Sequence, residues 1–99
     1  MGVYLIGYDL HEGEDYSSLE AAITKLSTDQ AWHCLDSTWM IIHPGPEKTV
    51  IDALTPHIKN ATAKTGDKLL VVKLTRHATW TTSFDDGCKA WLRKHLPNA

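Results

Sequence analysis

One carboxylate stands where a buried strand should end. The run from Val3 to Tyr8 is apolar or aromatic at every position except Gly7, and so short a run is typical of a core strand. Asp9 follows directly. Because an unpaired carboxylate is costly to bury, Asp9 needs a partner, a metal ion or water at a sheet edge. Two interpretations stay open: Asp9 caps the following turn, or it belongs to a site at the end of the strand.

The loop after this strand is rich in potential ligands. It contains His11, Glu12, Glu14 and Asp15. These side chains could hold a metal ion, but clustered acids in an exposed loop are usually only solvated. Farther along, His33 stands next to Cys34 without the paired spacing of a zinc site, so zinc is not expected.

A third group of candidates lies near the C-terminus. Arg76, His77 and Trp80 occur in a segment that is too polar for a core strand. Together they could stack a base and hold a phosphate, as proteins that bind single strands do. They could equally line a dimer interface, where Trp and Arg are enriched, and this second interpretation is favoured.

Charge is unevenly distributed over the 99 residues. The first 36 residues carry seven acids and one base, whereas residues 37–99 carry nine bases and five acids. The first part therefore repels phosphates and the second attracts them. The net charge of −2 excludes a strongly basic nucleic-acid binder.

The remaining composition indicates one domain, residues 1–99, in the cytoplasm. The sequence begins with no basic region followed by an apolar stretch, and it contains no run of about 18 apolar residues. Export and membrane insertion are therefore not expected. Cys34 and Cys88 fall on a predicted strand and a predicted helix. We expect reduced core thiols there rather than a disulfide bond.

Periodicity predicts alternating strands and helices. The predicted elements are a strand at 3–10, a helix at 16–26, strands at 31–35 and 38–43 or one long bent strand in their place, a helix from 46 and a strand at 67–74. Residues 78–81 form either a short edge strand or a dimer-contact segment, and a last helix follows. Ser17 and Glu20 fit a capping box, and Ser83 should cap the last helix. Pro46 suits the first position of the second helix, which either kinks at Pro56 or restarts there.

This order predicts an α+β protein of ferredoxin-like βαββαβ topology over residues 1–75, with an appended strand and helix over 76–99. Two right-handed crossovers should place the first and fourth strands side by side in the middle of an antiparallel sheet, with both helices on one face. The other face would be covered by a second copy or by the C-terminal appendage.

Three stretches of this order carry a family resemblance. They are Tyr4-Leu5-Ile6-Gly7-Tyr8-Asp9, Trp32-His33-Cys34-Leu35-Asp36-Ser37-Thr38-Trp39 and Asp67-Lys68-Leu69-Leu70-Val71-Val72. Over residues 3–74 the chain resembles the SinR-type proteins, which are similar to the smaller of the two core CRISPR adaptation proteins.

The resemblance implies a homodimer in which Asp9 of each subunit binds Mg²⁺ or Mn²⁺ for phosphodiester cleavage, with Ser37 as a second catalytic residue. Those relatives follow the aspartate with arginines, whereas no base precedes Lys25 here. The expectation is a metal-dependent endonuclease-like protein. The alternative is a dimeric scaffold or regulatory module, associated with nucleic acid, that cuts nothing.

Overall fold

The computed structural model describes residues 2–11, 14–75 and 77–96. Its elements are β1 (Gly2–Asp9), α1 (Ser17–Leu26), β2 (Trp32–Leu35), β3 (Thr38–His43), α2 (Glu47–Leu54), a 3-10 turn (Thr55–His57), β4 (Lys68–Leu74) and α3 (Asp86–His95). The predicted α+β class is confirmed. None of the helices in the described ranges has the length and apolar character needed to cross a membrane.

The four strands form one antiparallel sheet in the order β2-β3-β1-β4. Leu5 in β1 is aligned with Met40 of β3 on one side and with Val72 of β4 on the other. The first and fourth strands are therefore neighbours, as predicted, but the prediction that both lie in the middle is wrong. Since β3 occupies the other side of β1, β3 and β1 are the middle strands and β4 lies at an edge.

One face of the sheet packs against α1 and α2, as the sequence predicts. Side chains alternate along a strand, so Tyr4, Ile6 and Tyr8 point to this same face. The core they form also contains Leu10, Leu19, Ile23, Trp39, Ile41, Val50 and Leu54. The apolar stripes of both helices are thereby buried against the sheet, α1 mainly over β3 and α2 mainly over β4.

The second face is covered in part by the C-terminal appendage. Trp32, Met40 and Ile42 from the sheet pack with Trp91, Leu92 and Leu96 from α3 and the residue after it. Of the two interpretations of residues 78–81, the edge strand is wrong, because Ala78 and Trp80 pack onto this face without pairing to a strand. The dimer-contact segment stays a prediction. Farther along the same face, Leu70 and Val72 are 59% and 38% exposed. We call these two residues of β4 the open strip.

The prediction of reduced thiols is also wrong, since Cys34 in β2 and Cys88 in α3 form a disulfide bond. Their Cα atoms are 6.3 Å apart although 54 residues separate them in the chain. The packing of α3 on β2 brings them together, which the two separate sequence patterns do not reveal. Disulfides persist mainly in oxidising compartments, so this bond does not support the predicted cytoplasmic location. That location stays a prediction.

Two hydrogen bonds support the same contact between α3 and the β2 end of the sheet. The Trp32 Nε1–H donates to the carbonyl oxygen of Cys88 at 3.3 Å, and the Trp91 Nε1–H donates to that of Gln30 at 2.6 Å. The Lys94 ammonium also lies 3.1 Å from the Asp29 carboxylate. The appendage is therefore held by polar contacts as well as by its disulfide.

Aspartates, rather than serines, satisfy amides at two helix starts. The Asp15 carboxylate accepts the Ser17 amide hydrogen at 2.8 Å, and the predicted capping box is not formed. Asp85, not Ser83, caps α3 by accepting the amide hydrogen of the third helical residue at 2.8 Å. The Glu20 carboxylate does not cap the helix and instead accepts a hydrogen bond from the Tyr8 hydroxyl of β1.

The two prolines around α2 both lie just outside it. Pro46 follows a cis peptide bond and precedes the first helical residue, so its predicted place inside the helix is off by one position. The helix ends at Leu54, and Pro56 lies in the 3-10 turn that follows. A proline inside the helix would have lacked an amide hydrogen bond, and the break before Pro56 avoids that loss.

Candidate acidic site at the end of β1

Asp9 is the last residue of β1 and is exposed to solvent. Its register partner is Lys68, the first residue of β4. Strand alternation places Tyr8 on the helix-covered face and Asp9 on the opposite one. The Asp9 carboxylate is therefore hydrated by solvent. The preceding residue, Tyr8, anchors this end of the strand in the core.

A depression of about 540 Å³ lies at this end of the sheet, and we call it the acidic pocket. The residues that line it are Tyr8, Asp9, Tyr16, Glu20, Asp36 and Ser37. Asp9 and Ser37, the two predicted catalytic residues, are thus brought to one surface. Three carboxylates line this pocket, and no lysine or arginine of the described chain is among its lining residues.

The Tyr8 hydroxyl connects three elements beneath the acidic pocket. It accepts a hydrogen bond from Trp39 Nε1–H at 3.1 Å. Its own hydrogen faces two acceptors, the Glu20 carboxylate at 3.3 Å and the Asp36 carbonyl oxygen at 3.4 Å. The Tyr8 amide also donates to the Ser37 carbonyl oxygen at 3.2 Å, so β1 fixes the turn that presents Ser37.

Burial raises the pKa of Tyr8 above its ordinary value. The hydrogen bond from Trp39 acts in the opposite direction, and the nearby Glu20 charge adds to the increase. The phenol is therefore neutral near pH 7 and keeps the hydrogen that it donates. A neutral donor at this point holds its acceptors without adding a fourth negative charge to the acidic pocket.

A second cluster joins the loop after β1 to the start of β4. The ligand atoms of His11, Glu14 and Asp67 lie within 4.8 Å of one another. Asp67 is buried, and its Oδ1 accepts from the His11 amide at 3.1 Å and contacts His11 Nδ1 at 2.7 Å. Its Oδ2 accepts from the Lys59 amide at 2.8 Å. We call this cluster the loop clasp.

These hydrogen bonds determine the ionisation of Asp67. Burial acts to raise the pKa of Asp67, but hydrogen bonds with the Glu14 carboxyl, the Lys59 amide and the His11 ring and amide outweigh it. The net effect holds that pKa well below its usual range. Since both Asp67 oxygens have protein donors, a structural role accounts for the cluster without an ion.

Asp15, another member of the predicted ligand group, does not join the clasp. Asp15 accepts the Ser17 amide hydrogen instead, and Glu12 lies outside the described residues. A buried acid at the start of a core strand, Asp67, was missed by sequence reasoning. The signal was present, because the argument that Asp9 needs a partner applies equally to an acid at the other end of a strand.

Two of the residues predicted to bind substrate, His77 and Trp80, do not line the acidic pocket. His77 and Trp80 line a largely apolar cavity of about 640 Å³ between the second sheet face and the C-terminal segment. Arg76 lies outside the described residues. Leu5 lines the cavity, and Asp9 lies four positions farther along the same strand, a rise of about 13 Å. The structure therefore separates His77 and Trp80 from Asp9 and Ser37.

Tyr16, Glu20 and Asp36 complete the acidic pocket but were not predicted as site residues. The sequence predicts Glu20 in a helix cap, and Asp36 falls between two predicted strands. Only the tertiary structure shows that α1 and the turn between β2 and β3 meet at the end of β1.

No family model, curated protein or solved structure matches this chain. The SinR-type resemblance therefore stays a prediction, and the functional argument depends on the residues of the acidic pocket.

Proposed function

We propose that this protein is a homodimeric, divalent-metal-dependent phosphodiesterase of the SinR and CRISPR-adaptation type, built on a ferredoxin-like fold. The single observation that carries the catalytic part is the acidic pocket, in which Asp9 and Ser37 line one surface together with two further carboxylates. The strand order β2-β3-β1-β4 and the two helices on one face support the fold assignment.

The acidic pocket offers the types of donor that a hard cation prefers, although its three carboxylates do not converge to within 4.8 Å of one another as the ligand atoms of the loop clasp do. Mg²⁺ and Mn²⁺ prefer carboxylate, hydroxyl and water oxygens, which Asp9, Asp36 and Ser37 can supply. A bound cation would act as a Lewis acid toward a phosphodiester. The carboxylates must be neutralised before a polyanion can approach, so nucleic-acid binding at this site should require the metal.

The protein scaffold restrains the oxygen donors of the site. Ser37 lies in the tight turn between β2 and β3, and its carbonyl is tied to the Tyr8 amide. The Tyr8 hydroxyl restrains Glu20 and the Asp36 backbone from below. Asp9 itself is the terminal residue of a middle strand, which is a rigid position for a ligand.

Self-association would supply the second Asp9. The open strip lies on the sheet face that also carries Asp9, and its two side chains are exposed apolar groups on an edge strand. Burying Leu70 and Val72 against a second copy would remove this apolar surface from water. It would also bring two copies of the Asp9 end of the sheet toward each other.

The decisive experiment is incubation of the purified protein with labelled RNA and DNA in Mg²⁺ or Mn²⁺. We expect Asp9→Asn to lower the cleavage rate by about 100-fold or more, because it removes a charged ligand. Asp52→Asn is the matched control, since Asp52 is an exposed acid on α2 paired with Lys48. Equal cleavage by Asp9→Asn and the unmodified protein would refute the assignment.

The second candidate function is a dimeric scaffold or regulatory module that cuts nothing. Among the described residues, no lysine or arginine lines the acidic pocket, and this favours the second function because a nuclease site usually also contacts phosphate. No cleavage of either nucleic acid by the unmodified protein, combined with a dimer in sedimentation, would support this function. Asp9 carboxylates more than about 8 Å apart in such a dimer could not share one ion.

A further inference from the structure

We propose that a second depression beside Asp9 binds a phosphate of the nucleic-acid substrate, next to the phosphate that is cleaved. This inference rests on the proposed function, because it assigns a substrate subsite to the same end of the sheet. The depression has a volume of about 300 Å³, and its lining includes Asp9, His11, Lys64, Thr65 and Lys68. We call it the basic cleft.

The basic cleft and the acidic pocket meet at Asp9. Asp9 lines both depressions, whereas Lys64 and Lys68 line only the first, and Asp36 and Ser37 line only the second. Lys68 is the register partner of Asp9, so the two side chains lie next to each other on one face of the sheet. A nucleic-acid backbone that crosses Asp9 therefore passes from a surface with carboxylates to a surface with ammonium groups.

Two lysines give the basic cleft an excess of positive charge. The described lysines that pair with carboxylates are Lys48, Lys59 and Lys94. Lys64 and Lys68 are not among them, so no acid in the described ranges neutralises either ammonium. Asp9 is the single acid among the described residues that line the cleft. Two ammonium groups and one carboxylate leave a net positive charge, which suits a phosphate.

Backbone contacts hold one of these ammonium groups in place. The Lys68 Nζ donates to the Lys64 carbonyl oxygen at 2.8 Å and to the Gly66 carbonyl oxygen at 3.4 Å. An ammonium has three hydrogens, so one remains for a phosphate oxygen. Both acceptors are neutral, so they position the Lys68 ammonium without cancelling its charge.

The two walls of the basic cleft are fixed to each other. In the loop before β4, the Gly66 amide donates to the Ala63 carbonyl oxygen at 2.9 Å, and Lys64 lies between these two residues. The loop clasp joins this side of the cleft to the other, because Asp67 Oδ1 contacts His11 Nδ1 at 2.7 Å. The backbone positions that present the lysines are therefore set before a substrate binds, which favours a preformed subsite.

The lysines should contact a phosphate that is not cleaved. The proposed metal ligands Asp36 and Ser37 do not line the basic cleft, so a phosphate held there is displaced toward β4 from the reacting phosphate. Only a substrate with neighbouring phosphates can occupy both depressions. The subsite therefore selects oligonucleotides over compounds with a single phosphodiester.

Two substrates separate this subsite from the acidic pocket. A labelled single-stranded oligonucleotide, RNA or DNA, has neighbouring phosphates, whereas bis(p-nitrophenyl) phosphate has one phosphodiester. We expect Lys64→Gln and Lys68→Gln each to lower kcat/KM for the oligonucleotide by about fivefold, the effect of one partly exposed charge pair, and to leave hydrolysis of the small substrate unchanged. Lys73→Gln is the matched control, since it removes the same charge from the opposite face of β4.

Binding gives a second readout that needs no cleavage. Fluorescence anisotropy of the labelled oligonucleotides is measured with Asp9→Asn protein at several salt concentrations. Each Lys→Gln change in the basic cleft should reduce the salt dependence of log Kd by about 0.7, the value for one phosphate contact with a single strand. Lys73→Gln should leave it unchanged, and Lys68→Arg should restore it. Melting curves check each variant, and the exposed Lys64 keeps the test valid if Lys68→Gln fails to fold.

The outcomes distinguish this inference from the proposed function. Cleavage and binding that Lys64→Gln and Lys68→Gln leave unchanged would overturn the subsite, while the proposed function would stand. If the unmodified protein cuts nothing, but binding depends on Lys64 and Lys68 and not on Lys73, the proposed function fails and the phosphate site stands. An equal effect of Lys73→Gln would indicate unspecific attraction, and an equal loss with bis(p-nitrophenyl) phosphate would place the lysines at the reacting phosphate. Either result would overturn the proposal.

Discussion

The disulfide bond between β2 and α3 should account for a large part of the stability of this protein. The perturbation is its removal, either by reduction or by the double substitution Cys34→Ser/Cys88→Ser. In the chain-entropy description, a disulfide acts mainly by restricting the unfolded chain, and the effect grows with the length of the closed loop. The loop here is long, because 54 residues separate the two cysteines.

The magnitude follows from that separation. A loop of this length corresponds to about 4 kcal/mol at 25 °C. Small domains unfold with a free energy of about 5–15 kcal/mol, so the bond would supply a substantial fraction of the total. At about 4–8 °C per kcal/mol for a domain of this size, the melting temperature should fall by roughly 15–30 °C on reduction.

The folded state itself should change little at low temperature. Trp91 and Lys94 still bind the segment before β2, and the apolar residues of α3 still pack on the sheet. Far-UV circular dichroism of the reduced protein should therefore match that of the oxidised protein, while its resistance to denaturation falls. This combination separates an effect on the unfolded chain from a local loss of structure.

The assay is urea unfolding followed by tryptophan fluorescence, with and without a reducing agent. With a slope of about 1–3 kcal/mol per molar urea, the midpoint should shift by between about 1 and 4 M. The double serine variant should give the same midpoint with and without reductant, which controls for effects of the reagent. Coincident midpoints for oxidised and reduced protein, or two reactive thiols in the unfolded, unreduced chain, would refute the reasoning.

Three further predictions concern the sheet and its loops. The pKa of Asp67 is lower in the folded protein than its ordinary value of 3.8. The ionised Asp67 carboxylate therefore stabilises the fold fully above about pH 4, and this stabilisation is lost as the pH falls toward the folded pKa. The melting temperature should fall over that range, and less steeply in Asp67→Asn; parallel curves would contradict the role of the loop clasp. Tyr8→Phe leaves the buried Trp39 N–H without its acceptor and should cost about 1–3 kcal/mol in urea unfolding, whereas an unchanged midpoint would show that another acceptor replaces it. Gly66→Ala should destabilise by roughly 1–3 kcal/mol because its Cβ would collide with a backbone carbonyl. Gly7→Ala, whose Cβ meets open space, is the control, and equal melting temperatures for the two variants would contradict the clash.

Local sequence patterns were sufficient for most of the secondary structure. The apolar run from Val3 predicted β1, and the spacing of Leu19 and Ile23 predicted the buried stripe of α1. Binary patterns work here because burial on one face of a strand or helix imposes a fixed period on the chain. The position of Asp9 at the end of a strand followed from the same pattern.

Helix caps and the C-terminal segment were predicted less well. Serines were expected to cap α1 and α3, but Asp15 and Asp85 accept the amide hydrogens at those ends. Serine and aspartate have similar capping preferences, so local sequence does not decide between neighbouring candidates. The segment around Trp80 has the composition of a strand, yet it packs its side chains on the sheet face without pairing.

By itself, the sequence determined the four strands and three helices in outline, though not the conformation of residues 78–81, and that an acid ends the first strand. The tertiary structure alone decided that β4 lies at an edge, that Cys34 meets Cys88, and that Ser37 shares a pocket with Asp9 while His77 and Trp80 line another. The physical reason is that the spacing of apolar residues indicates only which face of each strand or helix is buried. Which distant segments meet depends on how their apolar faces pack together, and no local pattern contains that information.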